Sequence, residues 1–93
     1  MAAVQVKFPP GQLVATPGAL RVLTEQNVSP VALLERHLAG DWGDLSTEDV
    51  RENEFSLLNG LRLLSAYSVG SHRIWIITEA DRSATTLLLP DEY

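Results

Sequence analysis

Apolar and polar residues follow successive spacings along this chain, and each change of spacing falls at a proline, a glycine or a small hydroxylated residue. Residues 4–8 alternate weakly until Pro9, Pro10 and Gly11 interrupt them; residues 12–15 then resume the extended pattern, which predicts an opening strand or an interrupted pair. Thr16 and Pro17 form a helix start, with the hydroxyl as N-cap and proline in the first turn, where its fixed φ and missing N–H cost nothing. Leu20, Val22 and Leu23 supply the apolar stripe of this helix, and Asn27 suits the left-handed residue that stops it. Ser29 and Pro30 repeat the device. Val31, Leu34 and Leu38 recur behind them at helical spacing until Gly40, so two short helices are expected nearly end to end.

The GDWGDL stretch, residues 40–45, reads as a loop around Trp42. Ser46 with Asp49 approximates a capping box and opens a third helix. Val50, Leu57, Leu58 and Leu61 mark its inward face, Asn53 and Glu54 lie on the same side, and Gly60 is its stop. Beyond Gly60 the period shortens to that of strands. Residues 61–69 and 72–79 flank Gly70 and Ser71, a connector of favoured hairpin length. Residues 84–89 follow a turn at Asp81, Arg82 and Ser83, and Pro90 ends the ladder. Ile74, Trp75, Ile76 and Ile77 make both faces of the middle strand apolar, so helices, the N-terminal strand or a second subunit should cover it on both sides. The predicted fold class is α+β in a single domain, residues 1–93: a small antiparallel sheet, made of an N-terminal strand plus a C-terminal three-strand meander, with three helices on one face.

Composition adds exclusions. A 93-residue chain that is 45% hydrophobic and 20% charged has the make-up of one ordinary globular core. Cysteine is absent, which removes disulfides, thiolate nucleophiles and cysteine-type zinc sites and fits a reducing compartment. The opening MAAVQVKFPPGQ lacks the cationic entry and apolar run of a secretory signal, and no apolar run approaches the ~20 residues of a membrane-spanning helix; a cytoplasmic protein without membrane contact is expected. Twelve acids against seven bases leave a net charge of −5, which disfavours direct contact with nucleic acid.

Motifs that carry catalysis are missing. No G-x-S-x-G, G-x-x-x-x-G-K-[ST] or G-x-G-x-x-G occurs, and His37 and His72 lack the paired spacing of a metal face, so both read as surface or boundary residues. No cofactor and no metal ligand set is predicted, and the chain reads as a non-enzyme. The alternative of that kind gathers Asp41, Asp44, Glu79 and Asp81 around Trp42, beside Arg82, as a small ligand-binding or metal-binding enzyme centre. Asp81 and Arg82 are the ligand or anion candidates, with Thr85 and Thr86 beside them on the sheet.

The strongest departure from the background is DWGDLSTEDVRENE, residues 41–54, which holds six of the twelve acids against the single Arg51. On a helix, Glu48 and Glu52 lie one turn apart on the outer face at about 5–6 Å, close to the spacing of successive phosphates. Such a face suits the basic groove of a nucleic-acid-handling protein. It equally suits a solvated helix whose first-turn acids complement the dipole. The candidate partner-binding residues are Asp41, Asp44, Glu48, Asp49, Glu52 and Trp42, the tryptophan being read chiefly as an anchor that packs the loop onto the core.

The linked motifs GDWGDL (40–45), ENE (52–54), GLRLLSAY (60–67) and WIITEADRSATTLLLPDEY (75–93) resemble a group of small proteins encoded on plasmids, integrative elements and phages. The resemblance transfers no residue roles. It implies a setting: an accessory protein of a mobile element, of the kind devoted to evading host defence, including anti-CRISPR and anti-restriction inhibitors. Three functions stand as expectations. The first is an inhibitor or adaptor that docks on a basic nucleic-acid-binding host complex; the second is the small enzyme or ligand-binding domain. The third is a homodimeric scaffold or toxin–antitoxin-type regulator, motivated by the apolar residues 74–77.

Overall fold

The computed structural model describes residues 5–93. Strand β1 (Gln12–Ala15) is followed by helices α1 (Pro17–Glu25), α2 (Pro30–Leu38) and α3 (Thr47–Asn59), then by strands β2 (Leu63–Val69), β3 (His72–Thr78) and β4 (Ala84–Leu88) and a 3₁₀ turn, Pro90–Glu92. This is the expected α+β fold. The sheet order is β1-β4-β3-β2. β2, β3 and β4 form the antiparallel meander, with Leu63 opposite Thr78 and Thr78 opposite Thr85.

β1 corrects the expected antiparallel sheet to a mixed one, because it adds to β4 in parallel, Leu13 opposite Thr85. A parallel neighbour needs a long crossover, and the three helices and two further strands between β1 and β4 supply it. Gln12 N–H donates to Ser83 O and Thr16 N–H to Leu87 O at the two ends of the pairing. Gly11 admits β1 to this place: it has φ 66°, and a Cβ there would overlap the backbone of Arg82 and Ser83. The opening segment is not a strand over residues 5–8, and Val4 lies outside the described residues. Phe8 instead enters the core, while Lys7 N–H donates to Leu38 O at 2.8 Å.

Alternation along the strands separates two faces. Ser65, Tyr67 and Val69, Ile74, Ile76 and Thr78, and Thr85 and Leu87 point one way. There α1 contributes Ala19, Val22 and Leu23, and α2 contributes Leu33 and Leu34. Leu64, Ala66, Trp75, Ile77, Thr86 and Leu88 point the other way, where Tyr93 meets Trp75 edge-on at 5.9 Å and the Arg62 guanidinium lies over the Tyr93 ring at 5.5 Å. Residues 74–77 therefore sit in an inner strand, flanked by β2 and β4. α1 and α2 cover the first face, whereas α3 takes the outer edge of β2, where the Asn53 amide donates to Leu64 O and accepts from Leu64 N–H.

Helix ends follow their capping residues more closely than helix faces follow their apolar spacing. Thr16 accepts from Ala19 N–H at 3.2 Å and Ser46 from Asp49 N–H at 3.1 Å, although the Ser29 hydroxyl makes no such bond. Asn27 and Gly60 both take the left-handed conformation expected of them. On α1 the buried residues are Ala19, Val22 and Leu23, and Leu20 faces outward; on α2 they are Leu33, Leu34 and His37, and Val31 faces outward. Nine-residue helices carry too few turns for their own stripe to outweigh the packing around them. Among the described residues, no helix is long and apolar enough to cross a membrane.

Candidate functional site

The acidic segment 41–54 begins with a loop whose two carboxylates, although exposed, are bonded to neighbouring groups of the fold. Trp42 O accepts from Ala66 N–H at 3.1 Å and Asp44 N–H donates to Ala66 O at 2.7 Å, so the loop pairs with the outer edge of β2. Gly43 lies at the crossing with φ 77°, where a Cβ would overlap the Ala66 carbonyl. The Asp44 carboxylate accepts from Ser68 N–H at 3.1 Å and from the Ser68 hydroxyl at 2.7 Å. With Asn53 on Leu64, the edge is closed at alternate residues from Leu64 to Ser68, which protects it from pairing with another chain.

Asp41 is held as well. Its carboxylate accepts from Arg36 Nε at 2.7 Å and from Gly43 N–H at 3.2 Å, and its backbone oxygen accepts from Tyr67 Oη at 2.6 Å. The Arg36 bond keeps the Asp41 carboxyl below the usual range, and the Ser68 hydroxyl does the same for Asp44. Burial pushes the Tyr67 phenol up to about 12. Trp42 is buried beside Phe8, ring centroids 6.2 Å apart, and its Nε1–H donates to Glu54 Oε1 at 3.3 Å. The anchor reading of Trp42 holds; as a partner contact it is corrected, because a buried ring presents nothing to a partner.

α3 treats its acids differently. Glu48, Asp49 and Glu52 are exposed, and among the described residues their carboxylates enter no hydrogen bond or ion pair. The inward face consists of Val50, Asn53 and Leu57 at i, i+3 and i+7. Leu58, one residue farther and about 100° around the helix, is corrected to the outside, as is Leu61 beyond the helix end. Phe55 also faces out. A groove of about 370 Å³ runs between Phe55 and Leu61, with Arg51, Glu52 and Ser56 on its walls. A second, of about 220 Å³, adjoins it through Glu52 and Ser56 and reaches Leu45 and Leu64.

The turn after β3 is internally braced. Asp81 accepts from Ser83 N–H at 3.0 Å, and that residue's hydrogen bonds hold its carboxyl below the usual range. Arg82, at φ 60°, donates through Nη1 to the carbonyls of Leu61, Glu79 and Ala80 and through Nη2 to that of Ser56. Those bonds correct the anion-site reading: the guanidinium ties the end of α3 to the start of β2 and to its own turn. The four-carboxylate centre is not assembled, and among the described residues no group of three or more His, Asp or Glu side chains could hold a metal ion.

His37 is the polar residue that sequence spacing misplaced. It is fully buried, where a surface or boundary position was expected. Nδ1 lies 2.5 Å from Ser65 Oγ and Nε2 2.9 Å from Thr78 Oγ1; Thr78 Oγ1 lies 2.8 Å from Thr85 Oγ1, which donates to Pro10 O at 2.7 Å. The last bond assigns the rest. With the Thr85 proton on a carbonyl, Thr85 accepts from Thr78, Thr78 accepts from Nε2–H, and bare Nδ1 accepts from Ser65. Burial lowers the imidazole to about 4, with repulsion from Arg82 adding to it. A serine beside a histidine resembles a nucleophile and its base, yet Ser65, Thr78 and Thr85 are as sealed as His37, and a threonine stands where an orienting acid would be needed. The signal that locates His37 was present: it follows Leu33 and Leu34 by four and three residues, on their side of α2.

Compared with protein-family models, with curated proteins and with solved structures, the chain finds no match.

Proposed function

We propose that this chain acts by binding: it is a small accessory protein of a mobile element that docks on a basic, nucleic-acid-handling host complex, of the kind anti-CRISPR and anti-restriction inhibitors target, and blocks it. The mobile-element setting rests on the motifs in residues 40–93. Docking is supported by one observation, the division of the acids in 41–54. Asp41 and Asp44 are committed to internal bonds, whereas Glu48, Asp49 and Glu52 project from a well-capped helix with no internal partner among the described residues. A rigid row of carboxylates attracts a cationic surface and steers its approach. The enzyme reading receives less support, since Asp41, Asp44, Asp81 and Arg82 are separately engaged.

The experiment is capture of host proteins by the tagged chain, in parallel with the triple variant Glu48→Gln, Asp49→Asn, Glu52→Gln. Wild type should retain a basic nucleic-acid-binding complex, inhibit it, and release it as salt rises through the range where the Debye length falls from about 10 Å to about 3 Å. Inhibition that survives in the triple variant overturns the proposal.

A further inference from the structure

Charge does not account for everything on α3. Phe55, Leu58 and Leu61 are 60%, 85% and 45% exposed, in a chain whose adjacent Leu57 reaches the core. Large apolar side chains standing together in water mark an interaction surface. These lie beside the free carboxylates: Phe55 is three residues from Glu52, and the groove between Phe55 and Leu61 has Glu52 on its wall.

We infer that Phe55, Leu58 and Leu61 anchor the docking surface, and that its occupant is a cationic amphipathic helix of a protein partner. An apolar side chain of that helix enters the groove between Phe55 and Leu61, and its lysines or arginines meet Glu48 and Glu52. This rests on the docking reading above and adds the chemistry of the contact. Charge selects the occupant. A second copy would bring Glu48, Asp49 and Glu52 against the same residues of its neighbour; Arg51 and Arg62, on the walls of the two grooves, offset only part of that charge, so self-association is opposed. An anionic lipid surface is repelled by the same carboxylates. A cationic helix gains both the apolar contact and the ion pairs, in the helix-on-apolar-surface mode of recognition.

The test uses the full chain and a synthetic Leu/Lys amphipathic helical peptide, with binding read by fluorescence anisotropy at about 0.1 M salt, where charge interactions reach about 10 Å. Phe55→Ser and Leu58→Ser should each weaken binding about tenfold while keeping its salt dependence. Glu48→Gln with Glu52→Gln should flatten the salt dependence, and Val31→Ser, at a position 58% exposed on α2, should change nothing. All these sites are exposed, and unchanged thermal melts confirm that each variant is folded. The inference is overturned if the wild type ignores the peptide or binds it no better than the Phe55 and Leu58 variants do. It is equally overturned by a dimer that Phe55→Ser dissociates, or by partition onto anionic vesicles. Host capture undiminished by Phe55→Ser and Leu58→Ser removes this anchor and leaves the acidic-face reading standing; peptide binding without host capture does the reverse.

Discussion

Residues 41–44 and 48–52 are two acidic runs separated by Leu45, Ser46 and Thr47, similar in composition and opposite in use. In the first, the carboxylates of Asp41 and Asp44 satisfy Arg36, the Gly43 amide and Ser68, so the loop can lie along β2 as an incomplete fifth strand. In the second, Glu48 and Glu52 satisfy nothing internal among the described residues. An acid beside a glycine in a loop has backbone amides within reach. An acid on the outer side of a helix points away from them: beyond the first turn the amides serve the helix, and within it the Asp49 amide is taken by the Ser46 hydroxyl. Both runs carry a net charge of −2, and only the backbone geometry tells architecture from surface.

The sharpest way to break this comparison is at its first half. Gly43→Ala introduces a Cβ into the Ala66 carbonyl at a residue with φ 77°. Overpacking and the left-handed penalty together should cost about 4 kcal/mol. Urea denaturation checks it: a loss under about 1 kcal/mol would show that the loop detaches from β2 freely and is not part of the architecture.

Behind that loop, the ring of Trp42 packs against His37 at 5.7 Å, so the interior can be titrated separately from the surface acids. The folded imidazole titrates at about 4, below the roughly 6.5 of an unfolded chain. Its contribution is therefore complete above pH 6.5 and is lost as pH falls toward 4. Unfolding takes up one proton in this window, so stability should fall by about 1.4 kcal/mol per pH unit, about 3 kcal/mol in all. Denaturation series followed by tryptophan fluorescence between pH 7 and 5 test this above the range where the carboxylates titrate. A flat profile there would mean that His37 accepts a proton while folded.

Which parts of this were legible in the sequence follows from range. Thr16, Ser46, Asn27, Gly60 and Gly70 act on their own few residues, and the helix ends and the β2–β3 hairpin fell where those residues predict. Trp42 was readable as an anchor because a large aromatic flanked by Gly and Asp gains most by burial. The parallel partner of β1 was not readable: Gln12–Ala15 is four residues long and its pairing is decided by β4, about seventy residues away. Leu57 and Leu58 are chemically equal, and Asn53 decides between them by binding Leu64. Arg82 could not be assigned either, because its acceptors are carbonyls contributed by three separate stretches of chain.

Asn53 also offers a smaller test of how firmly α3 is tied to the guarded edge. Asn53→Ala leaves Leu64 N–H and O without their amide partner, which should cost about 2 kcal/mol. Slowed exchange of the Leu64 amide hydrogen in the wild type, and its loss in the variant, would locate the effect at that edge.

The smallest expected effect carries the most weight for function. In Glu48→Gln, Asp49→Asn, Glu52→Gln, two terms oppose each other. Acids in the first turn favour the helix dipole by about 0.3–1 kcal/mol each at low salt, while Glu48 and Glu52, one turn apart, repel by about 0.2–0.5 kcal/mol. The Ser46 cap on Asp49 uses the backbone amide and is untouched by the change. With Glu48 and Asp49 both in the first turn, the two terms leave a net loss of about 0.1–1.8 kcal/mol at low salt, and screening at about 0.15 M salt brings it toward the lower end. A fall in melting temperature as large as that of Asn53→Ala would place these carboxylates with Asp41 and Asp44 as parts of the scaffold, and the contrast between the two runs would disappear. A melt that moves little, together with lost host capture, leaves binding as the role of the second run.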